Sequence, residues 1–288
     1  MPNELIELVR QHHDWRGRCL NLIASESPTS PLVRQLLSSD LGRRYWSGEV
    51  YGGGRYAGRI VELTESLARE LFGVEHADVR PVTGNLAVLA AVLGLTHPGD
   101  LVITVDPAWG GYPLRIAEKY PIELAFHPME ADGLAPDGAR AAEEVRRRRP
   151  RLVVLGASEM LFPHPVRELA DAARDVGATL YYDGAHVLGL IAGGRFQDPL
   201  GEGAEILTGS THKSFSGPQG GIILARRADE AARNVSRMLD SPPLLQSGYH
   251  LNRVAALGLA LMEAREFGRA YAAQIEANAE ALARALHG

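Results

Sequence analysis

Short apolar runs alternate with longer amphipathic stretches along most of the chain, and the two patterns predict different elements. Short apolar runs are typical of buried strands, whereas apolar positions three or four residues apart indicate helices. The predicted strands are residues 101–105, 122–126, 152–155, 179–182, 206–208 and 222–224. The predicted helices are residues 5–13, 31–37, 60–72, 86–95, 137–149, 166–176 and 252–287. Because strands and helices alternate, we expect an α/β fold with a mostly parallel sheet flanked by helices.

The remaining segments predict how the chain is organised. Residues 1–40 combine the first helix, an extended stretch at 20–24 and a second helix that begins at Pro31, where proline suits a first turn. Residues 38–58 form a loop that is rich in Gly, Tyr and Arg. We therefore expect an N-terminal arm over residues 1–40 and a large domain over residues 41–288 that ends in a long helical region.

Composition narrows the function classes. The 288 residues include 30 Lys and Arg against 35 Asp and Glu, a net charge of −5, whereas nucleic-acid-binding proteins normally carry a basic face. No run of about 18 apolar residues is present, so we expect no membrane partner. The single cysteine, Cys19, excludes a thiolate-rich metal site, and we expect no bound metal. Because the first residues lack an apolar signal core, we expect a cytoplasmic protein.

Lysine is rare in this chain, and its two positions differ. Only Lys119 and Lys213 occur, so the other 28 of the 30 basic residues are arginine. Unlike arginine, lysine can lose its proton and attack a carbonyl carbon. Lys119 lies near the end of a predicted helical stretch, where a cation suits the helix dipole. Lys213 lies in a small polar loop after a strand and is therefore the candidate nucleophile.

Three segments at the ends of predicted elements together indicate a cofactor. Thr83, Gly84 and Asn85, which we call the phosphate seat, precede a helix whose free N–H groups suit a phosphate, although a simple N-cap also explains them. Asp183 directly follows the strand at 179–182, and the carboxyl ends of parallel strands point into ligand clefts. Lys213 follows the next strand. A phosphate seat, a buried acid and a lone lysine are what pyridoxal 5'-phosphate requires of a protein.

Four segments resemble the serine hydroxymethyltransferase family. They read NLIASE at 21–26, ELFGVEHA at 70–77, DGAH at 183–186 and THKSFSGPQGG at 211–221. The resemblance runs from about residue 20 to residue 264 and so covers most of the chain. It implies the large domain of a fold type I (aspartate-aminotransferase-like) pyridoxal phosphate enzyme, usually a homodimer with active sites at the subunit interface.

The resemblance also implies roles for individual residues. Lys213 would form the Schiff base with the cofactor, Asp183 would pair with the pyridine nitrogen, and His186 would approach the ring hydroxyl or the substrate. The other residues that would contact the cofactor are Thr83, Gly84, Asn85, Ser158, Ala185, Thr211 and His212, with Tyr45 reaching the phosphate of the partner subunit. Ser25 and Tyr56 would face the substrate carboxylate.

Several positions depart from the family's pattern. Trp109 stands where we expect the family's histidine over the cofactor ring, and an indole can stack there but cannot transfer a proton as an imidazole does. Glu49 is an approximate match for the acid that handles the substrate hydroxyl. The stretch 112–115, which in the family helps to enclose tetrahydrofolate, does not match. A folate-independent threonine aldolase or transaldolase is therefore the alternative activity, and tetrahydrofolate stays an open second cofactor.

The C-terminal end adds a further alternative. The family's small C-terminal domain, which brings an arginine to the substrate carboxylate, would begin near residue 288, and we expect it to be absent. Arg55 is the best internal substitute, although a solvated loop arginine is the simpler interpretation. The resemblance thus implies an enzyme that cleaves or forms the Cα–Cβ bond of a 3-hydroxy amino acid, as in serine/glycine interconversion. A catalytically incomplete homologue that only binds pyridoxal phosphate is the remaining alternative.

Overall fold

A seven-stranded sheet forms the centre of the structure, a computed structural model that describes residues 2–46, 51–240 and 244–287. The strands are β1 (His76–Asp78), β2 (Leu101–Thr104), β3 (Glu123–Phe126), β4 (Leu152–Leu155), β5 (Thr179–Asp183), β6 (Ile206–Ser210) and β7 (Gly221–Ala225). Their spatial order is β1-β7-β6-β5-β4-β2-β3. Strands β2 to β6 pair in parallel, which confirms the predicted mostly parallel sheet.

Helices connect and cover these strands. The α-helices are α1 (Pro2–Arg16), α2 (Pro31–Leu37), α3 (Ala57–Phe72), α4 (Gly84–Leu95), α5 (Gly138–Arg148), α6 (Val166–Val176), α7 (Leu188–Ala192), α8 (Pro199–Glu202), α9 (Glu230–Arg237) and α10 (Leu251–His287). Short 3-10 turns lie at Asp40–Arg43, Gly52–Gly54, Pro107–Trp109 and Arg115–Glu118. The sequence pattern missed β1, α7, α8 and α9, all of which are short.

Local signals determine where several helices begin and end. Asp137 caps α5 by accepting a hydrogen bond from the Arg140 N–H at 3.0 Å. Gly73 ends α3 with φ 64°, a left-handed conformation that glycine adopts without a Cβ clash. Thr83 caps α4, and its Oγ1 accepts a hydrogen bond from the Leu86 N–H at 3.0 Å. The helix therefore begins at Gly84, two residues before the predicted start.

The direction of β7 is decided by the loop that precedes it. Strand β7 runs antiparallel to both of its neighbours, with Ser210 opposite Gly221 and Asp78 opposite Ile223. Residues 211–220 contain no crossover helix, so the chain turns back beside β6. The loop that carries Lys213 is thereby held at the carboxyl edge of the parallel strands.

Apolar side chains pack on both faces of the sheet. Strands β4, β6 and β7 are buried along their whole length, as expected where helices cover both faces. Helices α4 and α9 contribute to the core on one face, and α3, α5, α6 and α10 contribute to the core on the other. Packing in these two cores holds the carboxyl edge of the sheet, and the loops that follow its strands, in fixed positions.

The predicted N-terminal arm contains two different kinds of structure. Helix α1 leaves Leu5, Ile6, Leu8 and Val9 half or more exposed, and residues 20–24 belong to no strand. Helix α2 packs on α10, and its Val33 is fully buried. The domain boundary at residue 40 stays a prediction. Within the described ranges, no helix combines the length and the apolar character needed to cross a bilayer.

Candidate active site

A cleft at the carboxyl edge of the sheet collects residues from several loops. Of the predicted site residues, it brings together Gly84, Asn85, Ser158, Asp183, Ala185, His186 and Lys213, and its wall is completed by Val88, Tyr112, Ala157 and Ser210. Strands β5 and β6 end at Asp183 and Ser210, and α4 begins at Gly84. The cleft therefore lies where the parallel strands end and a helix starts, the usual ligand position in such sheets.

The phosphate seat lies tightly against two strands. A Cβ added at Gly84 would lie 2.1 Å from Ser210 Oγ, so only glycine lets the start of α4 approach β6 this closely. A Cβ at Gly221 would lie 2.4 Å from the Thr83 carbonyl oxygen. The Thr83 hydroxyl serves as the N-cap of α4, while the first N–H groups of the helix have no intrahelical acceptor. The start of α4 can therefore be capped by Thr83 and still bind an anion through its free N–H groups.

Asp183 presents a buried carboxylate to the cleft. The residue is 7% exposed, and its Oδ1 accepts a hydrogen bond from the Ala185 N–H at 3.0 Å. Burial raises the pKa of Asp183, while the Ala185 hydrogen bond and the charge of Lys213 act in the opposite direction. A cation beside this carboxylate would offset its desolvation.

Lys213 and His186 are in direct contact. Lys213 Nζ lies 2.8 Å from His186 Nε2. Burial lowers the pKa of Lys213, although the Asp183 carboxylate partly offsets this effect. Burial and the lysine charge lower the pKa of His186 to about 4. The imidazole is therefore neutral at pH 7 and accepts a hydrogen bond from the amine, which itself deprotonates more readily than an ordinary lysine.

These groups fit pyridoxal phosphate. The half-buried Lys213 suits carbonyl attack, and the helix start with its close glycine contact suits a phosphate. Among the residues that the structure describes, the Asp183 carboxylate forms no ion pair and only Lys213 acts on it from a distance, so it could pair with a protonated pyridine nitrogen. No other part of the described chain combines these three features.

Several predicted residues lie outside the cleft wall. Trp109 is 51% exposed, and its indole lies against Gly133, where an added Cβ would be 2.1 Å from the ring. Tyr45 and Tyr56 are exposed, and the Arg55 guanidinium lies 5.5 Å from the Tyr56 ring centre. Their predicted roles require either a partner subunit or movement, and they stay predictions.

Other predicted residues shape the lysine loop or fall elsewhere. Thr211 Oγ1 donates a hydrogen bond to the Pro218 carbonyl at 2.6 Å, and His212 Nδ1 accepts one from the Gly220 N–H at 3.3 Å. Both side chains thus stabilise the loop around Lys213. Ser25 is partly buried in the N-terminal segment, away from the cleft wall. Glu49 lies outside the described residues.

Tyr112 is a cleft residue that sequence reasoning missed. Its hydroxyl donates a hydrogen bond to Asn85 Oδ1 at 2.8 Å, next to the phosphate seat. Burial and the Asp183 charge raise the pKa of Tyr112, which places its ring in the same electrostatic environment as the buried acid. The sequence feature that could have identified Tyr112 is its position as an aromatic residue directly after Gly110 and Gly111, close to Trp109.

Comparisons with known proteins agree with this geometry. A family model described as "Serine hydroxymethyltransferase" matches residues 1–288. Proteins named serine hydroxymethyltransferase from Methanopyrus kandleri and Methanosphaera stadtmanae are 43% and 44% identical, over 99% and 97% of this chain and 68% and 67% of their own lengths. A crystal structure of L-threonine transaldolase from Pseudomonas fluorescens, in its internal aldimine state, superposes with a TM-score of 0.89 at 33% identity, over 99% of this chain and 67% of that one. The chain thus spans about two thirds of the length of these relatives.

Proposed function

Because the chain belongs to the serine hydroxymethyltransferase family, we propose that it is a pyridoxal-phosphate-dependent enzyme that cleaves or forms the Cα–Cβ bond of a 3-hydroxy amino acid. Serine and glycine are the proposed substrate pair. The observation that carries this proposal is the contact of Lys213 with a neutral His186, in one cleft with the buried Asp183 and the phosphate seat.

The residues that would hold the cofactor come from three loops. The N–H groups at Gly84 and Asn85 would bind its phosphate, Asp183 would bind the pyridine nitrogen, and Ala185 and Tyr112 would contact the ring. When bound, pyridoxal phosphate supplies an electron sink for negative charge that develops at the substrate's α-carbon. Asp183 strengthens this effect by keeping a positive charge next to its carboxylate.

Lys213 and His186 supply the groups that attack and move protons. The lowered pKa of Lys213 leaves a larger fraction of neutral amine, whose lone pair is needed for carbonyl attack. His186 Nε2, 2.8 Å away, accepts a hydrogen bond from the amine and so orients the amine's lone pair. The roles of Ser25, Tyr56 and Arg55 toward the substrate carboxylate, and of Glu49 toward the hydroxyl proton, are proposed on the family resemblance.

A transaldolase is the second candidate function. The similarity to the threonine transaldolase structure supports it, as does the stretch 112–115, which does not match the family's folate-facing sequence. In this reaction the aldehyde released from threonine would be replaced by a different aldehyde, without tetrahydrofolate.

One assay separates the two functions. The protein is incubated with serine or threonine, with tetrahydrofolate or with an added aromatic aldehyde, and the amino-acid products are measured. We expect glycine from serine to depend on tetrahydrofolate. Turnover of threonine that depends only on the aldehyde would favour the transaldolase instead.

A labelling experiment tests the cofactor assignment independently of turnover. After addition of pyridoxal phosphate, we expect a visible absorbance band, and borohydride should attach the cofactor covalently to the peptide that contains Lys213. Attachment at Lys119, which is outside the cleft, or no band at all, would contradict the assignment.

A homodimer is the proposed assembly. Helix α1 exposes Leu5, Ile6, Leu8 and Val9 on a segment that has no covering partner in the described chain, and such apolar surface favours association. Tyr45 is exposed, and its ring is tilted by 34° to that of Tyr51 at 5.9 Å between ring centres; it would reach the partner's phosphate seat. Sedimentation of the full chain and of a chain lacking residues 1–27 tests this: only the full chain should be dimeric. The cytoplasmic location stays a prediction.

A further inference from the structure

A buried arginine, Arg253, forms no ion pair of its own with the described part of the chain. Arg253, in the first turn of α10, is only 5% exposed, which is rare for arginine. Its Nη2 donates hydrogen bonds to the Val79 carbonyl and, at 3.1 Å, to the Arg80 carbonyl. Its Nε and Nη1 are buried without any partner. Among residues 2–46, 51–240 and 244–287, Arg253 forms no ion pair, and the Asp78 carboxylate acts on its charge only from a longer distance.

A buried and unpaired cation is expensive. Desolvation of an ion costs several kcal/mol unless an opposite charge compensates for it. Burial lowers the pKa of Arg253 to about 10, although the Asp78 carboxylate partly offsets this effect, so the guanidinium still carries its charge at neutral pH. The described chain supplies only carbonyl oxygens to one of its nitrogens. An anion from outside the chain would offset the remaining charge.

The neighbouring arginine does not supply free charge. Arg80 Nη2 lies 2.6 Å from Asp78 Oδ2, and its Nη1 lies 2.7 Å from Asp240 Oδ1. Two carboxylates therefore already compensate for Arg80. Asp78 also acts on the charge of Arg253, but its carboxylate pairs directly with Arg80, so Arg253 is the arginine here without an ion pair of its own in the described chain.

Arg253 lies next to the segments that build the phosphate seat. Its carbonyl partners, at residues 79 and 80, come just before Thr83 in the chain. On the other side, a Cβ at Gly220 would lie 2.5 Å from Arg253 Nη1. The following residue, Gly221, donates its N–H to the Pro81 carbonyl at 2.9 Å, and a Cβ added there would lie 2.4 Å from the Thr83 carbonyl oxygen. Arg253 thus lies against the two segments, at residues 79–80 and at residue 220, that lead into strands or loops beside the seat.

We propose that Arg253 is a positioning residue for the cofactor's phosphate, whose negative charge compensates for the buried guanidinium. The charge of Arg253 raises the affinity of the phosphate seat for a dianionic phosphate group, and its Nη2 hydrogen bonds hold the segment that leads into the seat. This inference rests on the proposed function, because it takes pyridoxal phosphate to be the ligand. No phosphate-contacting role follows for Arg80, whose charge is already paired.

The test compares two ligands that differ only in the phosphate. Binding of pyridoxal phosphate and of pyridoxal to the full chain is measured by equilibrium dialysis, for the parent, Arg253→Met and Arg253→Lys. We expect Arg253→Met to weaken binding of pyridoxal phosphate about tenfold or more and to change binding of pyridoxal by less than about twofold, because two opposite charges in a partly buried site interact by a few kcal/mol. Arg253→Lys keeps the charge and should retain most of the preference for the phosphorylated ligand.

A matched control lies on the same helix. Arg265→Met removes the same charge from an exposed position that pairs with Glu70 at 3.0 Å, and it should leave both affinities unchanged. If Arg253→Met does not fold, Arg253→Gln, which keeps a donor to the carbonyls but removes the charge, takes its place.

The outcomes separate this inference from the proposed function. Parent protein that binds no pyridoxal phosphate contradicts the proposed function itself. Parent protein that binds it, with the same ratio of the two affinities in the Met or Gln variant, overturns the role of Arg253 alone. Equal weakening of both ligands shows a purely structural role and also overturns it, as does an Arg253→Lys variant that loses as much of the preference as the Met variant.

Discussion

Replacement of Asp183 by asparagine tests the electronic role of the buried acid. The change removes one negative charge and keeps the shape of the side chain. Asparagine Oδ1 can still accept the hydrogen bond from the Ala185 N–H, so the turn after β5 is preserved. The phosphate seat belongs to α4 and is not altered. The substitution therefore isolates the charge that faces the pyridine nitrogen.

The expected magnitude follows from the burial of this carboxylate. Removal of one partner from a buried ion pair costs ~3–5 kcal/mol. Because Asp183 is 7% exposed and asparagine retains a neutral hydrogen bond, we use the lower end of this range. A loss of ~3 kcal/mol in stabilisation of the developing charge corresponds to a rate lower by roughly 150-fold. Affinity for pyridoxal phosphate should fall much less, because the phosphate contacts remain.

The measurement is exchange of the α-proton of glycine with solvent deuterium, followed by NMR with the cofactor-loaded protein. Affinity for pyridoxal phosphate is measured in parallel by absorbance titration. Asp198→Asn is the matched control, since Asp198 caps the distant helix α8 and asparagine caps a helix equally well. Exchange at the parent rate in Asp183→Asn, with the cofactor bound, would refute the role that we assign to the carboxylate.

Further substitutions test the seat, the buried histidines and the loop arginine. Gly84→Ala should weaken binding of pyridoxal phosphate at least about tenfold, because the added Cβ would lie 2.1 Å from Ser210 Oγ. The double variant Gly84→Ala with Ser210→Ala should recover part of this loss. Burial lowers the folded-state pKa of His127 and His164 to about 4, so between pH 6.5 and 4 only the unfolded chain binds protons at these residues. The free energy of unfolding should therefore fall by up to about 3 kcal/mol per histidine as the pH is lowered through this window. Urea midpoints at pH 7 and 4.5 check this, and His127→Gln should flatten the dependence. Arg55→Ala should leave cofactor affinity unchanged because the guanidinium is exposed, so a large loss measured by titration would show that Arg55 has moved into the cleft.

The sequence by itself predicted the central strands and identified the candidate site residues at their ends. Strands β4 and β7 contain short apolar runs, since a strand covered on both faces has to bury nearly every side chain. Lys213 and Asp183 were identifiable because both follow such runs, and because only one lysine lies in a loop of this kind. These signals are local in the sequence, so no coordinates were needed to find them.

The tertiary structure decided what depends on approach between distant segments. Strand β1 has three residues, too few for a periodicity to show, and the direction of β7 depends on the absence of a helix in residues 211–220. Trp109 packs on Gly133 while Tyr112 lines the cleft, and nothing in the local pattern distinguishes these two aromatic residues. Arg253 is far in sequence from residues 79, 80 and 220, and it reaches them only because of the packing of α10. Burial of a charge is a property of the packed fold, and the sequence pattern alone could not reveal it.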